Sequence, residues 1–223
     1  MLKWSRDTQT RKVWSIDVNT DRQQTAFDRA SLLSRGARIG AGVLVAGAAS
    51  GIAATRAAAD PLSTSDIALS RLLVGVELLL ADFYGQAVAA ANARGRVKKY
   101  LGIAASNEQD HYKAVAGILT GAGLTPATSD DFTFTYPKGT FSSEASIIVQ
   151  AAKLEAVALG AYLGALTSVQ ATALNTVFGR VAASEAQHQG FFSAASGGRA
   201  FSLAFPTPLT IADTSNALDA YTA

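Results

Sequence analysis

The 223-residue chain contains no cysteine, which excludes both a disulfide framework and a metal site built from thiolates. Its only methionine is Met1, so it has almost no oxidisable sulfur, which would suit a protein that handles peroxide or dioxygen. An Ala- and Gly-rich composition could give the same absence by drift. With 49% apolar residues, a chain of this length buries one substantial core, and one domain with extensions is expected.

Charge is also scarce, at 16% of residues, and the net charge is only +2. Residues 1–38 carry +4, which leaves −2 for the remainder. Beyond residue 38, the basic residues are scattered except for a group at a predicted helix junction, which comprises Arg94, Arg96, Lys98 and Lys99. A solvated turn explains this group, so no nucleic-acid partner is expected.

Residues 1–59 form a basic region followed by an apolar segment. No charge occurs between Ile39 and Thr55, and Ala57–Ala59 follow as a candidate cleavage site. This pattern is typical of an export signal. An uncleaved membrane anchor through residues 36–56 is the alternative, since about 17–20 apolar residues can span a bilayer. Both interpretations predict an exported protein in the periplasm or cell envelope.

Glutamate and histidine follow a duplicated pattern in the rest of the chain. Four of the five glutamates and both histidines belong to it: Glu77, Glu108, His111, Glu155, Glu185 and His188. The first and second glutamates are 31 residues apart, and the third and fourth are 30 apart. Two helical hairpins that each supply half a site would explain this spacing. Within each hairpin, the second glutamate and the histidine three residues after it share one helix face.

Tyrosine repeats in the same register. Tyr84 follows Glu77 by seven residues, and Tyr162 follows Glu155 by seven, which is about two turns along one helix face. Two interpretations stay open for these predicted catalytic residues. Their hydroxyls would hydrogen-bond a ligand carboxylate or mediate electron transfer, or the rings would simply pack in the core.

The apolar periodicity predicts an all-α bundle over residues 60–195. The first expected helix starts at the Ser63–Asp66 cluster and ends near Asn92, and the second runs from Val97 to Gly121. The third runs from Ser143 to about Leu166, and the fourth follows it and ends near Ala195. Residues 121–142 break the pattern and form one long crossover. Residues 196–223 form a tail with a short helix from Ile211 to Tyr221.

One Glu from each of two helices and a Glu-x-x-His from each of the other two is the ligand set of ferritin-like di-iron and di-manganese bundles. The chain resembles this superfamily over about Asp66–Phe192, and in particular its exported bacterial ferritin-like domain branch. The resemblance implies two metal ions, with Glu108 and Glu185 bridging them and Glu77 and Glu155 binding one each. It also implies that His111 and His188 each ligate one ion.

Iron is the expected metal, with manganese or zinc as alternatives. The resulting hypothesis is an exported di-iron oxidoreductase that oxidises Fe(II) or consumes peroxide or dioxygen. The competing hypothesis is a membrane-associated accessory or structural subunit of an envelope complex, with a static or vestigial metal site. A mineral-storing cage is the third, and a homo-oligomer is compatible with each.

Overall fold

The computed structural model describes residues 2–6, 12–16, 62–201 and 203–222. Two short strands, β1 (Leu2–Arg6) and β2 (Lys12–Ile16), pair in antiparallel register. The sequence analysis did not predict this hairpin within the basic N-terminal region. The predicted signal or anchor segment, residues 36–56, lies outside the described residues.

Four long helices form the main body of the protein. They are α1 (Thr64–Ala89), α2 (Gly95–Gly121), α3 (Glu144–Ser168) and α4 (Thr172–Ala195). Consecutive helices pack as two hairpins, α1 with α2 and α3 with α4, and the hairpins meet through α1 against α3 and α2 against α4. Their ends lie within about three residues of the predicted ones, because capping serines mark two of the starts. Ser63 accepts the Asp66 amide and Ser143 accepts that of Ser146, both at 3.1 Å.

A buried carboxylate joins the two hairpins at one end. Asp66, near the start of α1, accepts the backbone amides of Gln170 and Ala171 at 2.8 and 3.1 Å. These amides lie in the turn between α3 and α4, where helix geometry leaves donors without intrahelical partners. The contact therefore places the start of α1 beside the start of α4.

The crossover carries the chain from one end of the bundle to the other. It contains a short 3₁₀ turn, Ser129–Asp131, and then runs along α1, where the Tyr136 hydroxyl donates to Asp82 at 2.8 Å. At its end, Glu144 accepts the backbone amide of Arg94 at 2.6 Å. The start of α3 therefore lies beside the start of α2.

The C-terminal tail folds back across α3 and ends in α5 (Ile211–Asp219). The Leu209 amide donates to the Gly160 carbonyl at 2.8 Å, and a Cβ added at Gly164 would lie 1.8 Å from the Leu209 carbonyl oxygen. Only glycine allows this approach of two backbones. The tail then reaches the crossover, where Thr135 donates to the Tyr221 carbonyl at 2.7 Å.

Among the described residues, α3 alone is long and apolar enough to cross a membrane, with a mean hydropathy of 1.4 over its most apolar window. However, 67% of that window is buried inside the bundle. The apolar character of α3 is therefore explained by its position in the core.

Candidate metal centre

All six predicted ligands reach the interior of the bundle at one level. Glu77 and Glu155 lie near the middle of α1 and α3, and their carboxylates are fully buried. Glu108 with His111 comes from α2, and Glu185 with His188 comes from α4, with both glutamates again fully buried. The structure thus brings together the whole predicted set, one contribution from each helix.

His111 faces three carboxylates through its Nδ1 atom. This nitrogen lies 2.8 Å from Glu185 Oε1, 3.1 Å from Glu108 Oε2 and 3.7 Å from Glu77 Oε2. One nitrogen and three carboxylates around a single point form a donor set that would suit one divalent cation.

His188 repeats this arrangement in the other half of the bundle. Its Nδ1 atom lies 3.0 Å from Glu108 Oε1, 3.4 Å from Glu155 Oε1 and 3.5 Å from Glu185 Oε2. The two imidazole rings are 6.1 Å apart between centroids.

Two of the glutamates belong to both donor sets. One set consists of Glu77, Glu108, His111 and Glu185, and the other of Glu108, Glu155, Glu185 and His188, with the ligand atoms of each set within 4.8 Å of one another. Glu108 and Glu185 present one oxygen to each histidine, whereas Glu77 and Glu155 each face only one. Glu108 and Glu185 therefore lie between the two histidines and belong to both groups.

The ionised forms of Glu77 and Glu155 are disfavoured in the cluster. Burial raises the pKa of Glu77 well above its ordinary value, and the charges of Glu108 and Glu185 raise it further. Burial likewise raises the pKa of Glu155, again helped by Glu185. Four carboxylates at this separation therefore require positive charge beside them.

In the metal-free protein, the two histidines supply positive charge beside the carboxylates. Burial alone would lower their pKa values, but contacts with Glu108 and Glu185 reverse this effect and raise the pKa of His111 to about 9. The same carboxylates, with Glu155, raise the pKa of His188 to about 12. Burial would raise the pKa of Glu185, but His111 and His188 lower it to about 2.

Hydrogen bonds do not satisfy the carboxylates completely. At least one buried oxygen of each glutamate has no hydrogen-bond partner, namely Glu77 Oε2, Glu108 Oε1, Glu155 Oε2 and both oxygens of Glu185. Glu185 Oε1 lies 2.8 Å from His111 Nδ1, but the angles are not those of a hydrogen bond. Such unsatisfied buried oxygens are costly, and they fit a site made for cations.

The two tyrosines bind carboxylates across the bundle. The fully buried hydroxyl of Tyr84 in α1 donates to Glu155 in α3, and that of Tyr162 in α3 donates to Glu77 in α1. Burial and the adjacent carboxylates raise the pKa of both phenols well above 10, so both are neutral donors. Of the two interpretations left open for these tyrosines, the structure shows the one in which each hydroxyl hydrogen-bonds a carboxylate of the cluster.

Asn107 is a site residue that the sequence analysis missed. Its Nδ2 atom lies 2.9 Å from Nε2 of His188, the ring nitrogen that faces away from the carboxylates. In the sequence, the position of Asn107 directly before Glu108 could have indicated that it lies near the site. Asp110 and Gln187, which flank the histidines, are exposed, with Asp110 paired to Lys113 at 2.8 Å.

The fold and the buried cluster define a helical-bundle protein with a carboxylate and histidine site that could hold metal. The family model described as ferritin-like domain matches residues 65–198, well over half of the chain. The chain belongs to this ferritin-like family. No curated protein matches it.

Proposed function

We propose that this protein is a di-iron oxidase that oxidises Fe(II) with dioxygen or peroxide and acts outside the cytoplasm. One observation carries the proposal: two buried donor sets, each with one histidine, share Glu108 and Glu185. A protein that bound a single structural ion would need only one such set.

The donor chemistry favours iron or manganese, with zinc as an alternative. Carboxylate oxygens and imidazole nitrogens, without sulfur, suit these metals. Two divalent cations carry +4, which balances the four carboxylates when both imidazoles are neutral. Two ferrous ions held by these residues would supply the electrons that reduce dioxygen or peroxide.

The protein's own residues hold this centre and control access to it. Glu108 and Glu185 would bridge the ions, while Glu77 with His111 and Glu155 with His188 would each complete one coordination shell. The histidine side chains, 13% and 9% exposed, are the least buried members of the set. They lie on α2 and α4, so small oxidants and Fe(II) would enter along the seam between these helices.

Tyr84 and Tyr162 would orient the two terminal carboxylates. Each phenol donates to a carboxylate oxygen and leaves the other oxygen of Glu155 or Glu77 without a hydrogen bond. For Glu77 this oxygen, Oε2, is the one that faces His111, whereas for Glu155 the oxygen nearest His188 is Oε1, which also accepts from Tyr84. Either phenol could also provide an electron to the centre, and a tyrosyl radical signal after peroxide treatment, absent in the matching Phe variant, would test that role.

The direct test compares Fe(II) oxidation by matched variants. Glu108→Gln removes a shared ligand but keeps its volume, and we expect the rate to fall to that of Fe(II) in buffer. Asp110→Asn serves as control, because Asp110 lies two residues away on the same helix but is exposed. Equal rates for the wild type and Glu108→Gln would refute the oxidase.

Export remains part of the proposal and rests on the apolar segment at residues 36–56. N-terminal sequencing of the native protein separates its two forms. A chain that begins near Asp60 indicates cleavage, and a chain that retains the segment in the membrane fraction indicates an anchor. A protein recovered intact from the cytoplasm would contradict export.

A second function is favoured by an exposed apolar segment of the tail. Phe201, Leu203 and Phe205 are 98%, 65% and 92% exposed. Beside them lies a groove of about 970 Å³ between α2, α3, α4 and the tail. An accessory subunit of an envelope complex would use such a surface, and its metal would be redox-silent. Co-purification with a membrane complex, without Fe(II) oxidation, would support this alternative.

A further inference from the structure

The two halves of the centre differ outside the ligand set. His188 in α4 contacts Asn107 in α2 through Nε2 at 2.9 Å, while its Nδ1 atom faces Glu108, Glu155 and Glu185. Among the described residues, the ring therefore has its hydrogen bond on the outside, with the Asn107 carboxamide, while Nδ1 faces the three carboxylates without a hydrogen bond.

His111 has no equivalent support. Within residues 62–201 and 203–222, no side chain hydrogen-bonds its Nε2 atom. Ser184 occupies the position that matches Asn107, directly before the glutamate of the other Glu-x-x-His motif. The serine side chain is shorter than a carboxamide and makes no hydrogen bond to His111. The chain thus repeats the ligands of the site but not this contact.

The tyrosines do not introduce this difference. Tyr84 donates to Glu155, and Tyr162 donates to Glu77, so each terminal carboxylate has one phenol. On the outer side of the histidines, the contact of Asn107 with His188 distinguishes the two halves. On the inner side, His111 Nδ1 is hydrogen-bonded to Glu108 Oε2 at 3.1 Å, whereas His188 Nδ1 has no hydrogen-bond partner in the described part of the chain. The His188 side chain is also slightly less exposed than that of His111, at 9% against 13%.

A carboxamide suits the outer nitrogen of a metal-binding histidine. A ring that coordinates through Nδ1 carries its proton on Nε2 and needs an acceptor there. The oxygen and nitrogen of an asparagine side chain exchange places when the amide turns by half a revolution, so the Asn107 oxygen can accept a hydrogen bond from that N–H group. The contact would then fix both the tautomer and the orientation of the ring.

We propose that Asn107 is a positioning residue for His188 and that it makes the two metal positions unequal. The position formed by Glu155 and His188, with the two shared glutamates, binds the first ion. The position formed by Glu77 and His111 binds the second, more weakly. This inference rests on the proposed di-metal function.

Anaerobic titration with Co(II), followed by calorimetry and by the visible absorption of the bound ion, tests this order without relying on turnover. The wild type should bind two ions in two resolved steps. Asn107→Ala should weaken the first step by about 10- to 100-fold, the usual effect of losing a partner of a ligand histidine, so that the steps merge. Asn107→Asp keeps an acceptor and should retain two steps.

Ser184→Ala is the matched control and should leave both steps unchanged, and far-ultraviolet circular dichroism establishes that each variant remains helical. If the wild type binds two ions but Asn107→Ala leaves both steps unaltered, or weakens both equally, the inference is wrong while the di-metal centre stands. A wild type that binds no Co(II) would instead overturn the di-metal function itself.

Discussion

The hydroxyl of Tyr84 in α1 donates a hydrogen bond to the carboxylate of Glu155 in α3. The reciprocal bond runs from Tyr162 in α3 to Glu77 in α1. Each hairpin therefore supplies the phenol that holds a carboxylate of the other. These two bonds make the centre part of the contact between the hairpins, so metal binding and hairpin association should depend on one another.

Removing either phenol should lower the stability of the metal-loaded protein. Tyr84→Phe and Tyr162→Phe each leave a buried carboxylate oxygen without its donor, which should lower the free energy of unfolding by about 1–3 kcal/mol. Urea unfolding of the metal-loaded variants measures this loss. Tyr112→Phe is the control, because within the described part of the chain Tyr112 donates to the Ala127 carbonyl at 3.0 Å and to no carboxylate of the cluster, so the stability that added metal contributes should be unaltered. Phe variants as stable as the wild type would show that the bonds contribute nothing.

Glu77→Gln should stabilise the metal-free protein and impair the metal-loaded one. Burial and neighbouring carboxylates raise the pKa of Glu77, so a neutral isostere avoids an unfavourable ionisation. The thermal midpoint of the metal-free variant should therefore rise, while the increase produced by added metal should shrink. Asp110→Asn should change neither quantity. A lower thermal midpoint for metal-free Glu77→Gln would show that ionisation of the Glu77 carboxylate is not unfavourable in the folded protein.

Stability of the metal-free protein should fall as the pH rises from 6.5 to 9. The pKa of His111 is raised to about 9 and that of His188 to about 12, so the folded state binds protons that the unfolded state has released. The raised pKa values of Glu77 and Glu155 act in the same direction. Their contribution is present below the unfolded pKa values and is lost as the pH rises toward the folded ones.

Metal binding displaces these protons, so metal affinity should increase over the same pH range. Thermal midpoints of the metal-free and metal-loaded protein, taken at several pH values, measure both trends. We expect a falling midpoint without metal and a nearly constant one with metal. A metal-free midpoint that rises between pH 6.5 and 9 would contradict the charge balance described for the cluster.

Gly164→Ala should destabilise the fold through the tail. An added Cβ would lie 1.8 Å from the Leu209 carbonyl oxygen, so the tail must move away from α3. We expect a loss of about 1–3 kcal/mol, as for other overpacked positions. Gly117→Ala, with nothing within 4 Å of its Cβ, should instead stabilise α2 by about 0.5–1 kcal/mol. Equal stability of the two variants would place the tail elsewhere.

The candidate ligand set could be predicted from the sequence because metal chemistry restricts the residue types that such a site uses. Few residue types bind iron, and the Glu-x-x-His spacing requires one helix face, so six positions could be assigned before any coordinates. The helix ends followed from caps such as Ser63 and Ser143, whose interactions are local. The family match to residues 65–198 confirms the ferritin-like interpretation.

Features that depend on distant contacts could not be predicted in the same way. Asn107 acquires its role from His188, 81 residues further along the chain. The requirement for glycine at position 164 arises only because the tail returns to α3. The pairing of β1 with β2 was overlooked because the basic residues of that region suggested a leader.

The most direct test of the central claim is the metal content and metal–metal distance of protein loaded anaerobically with Fe(II). Two ions per chain, separated by about 3.5–4 Å in X-ray absorption spectra, are expected for two positions that share Glu108 and Glu185. Glu108→Gln should lose the short metal–metal distance. One ion per chain, or two ions without a short separation, would contradict the shared centre.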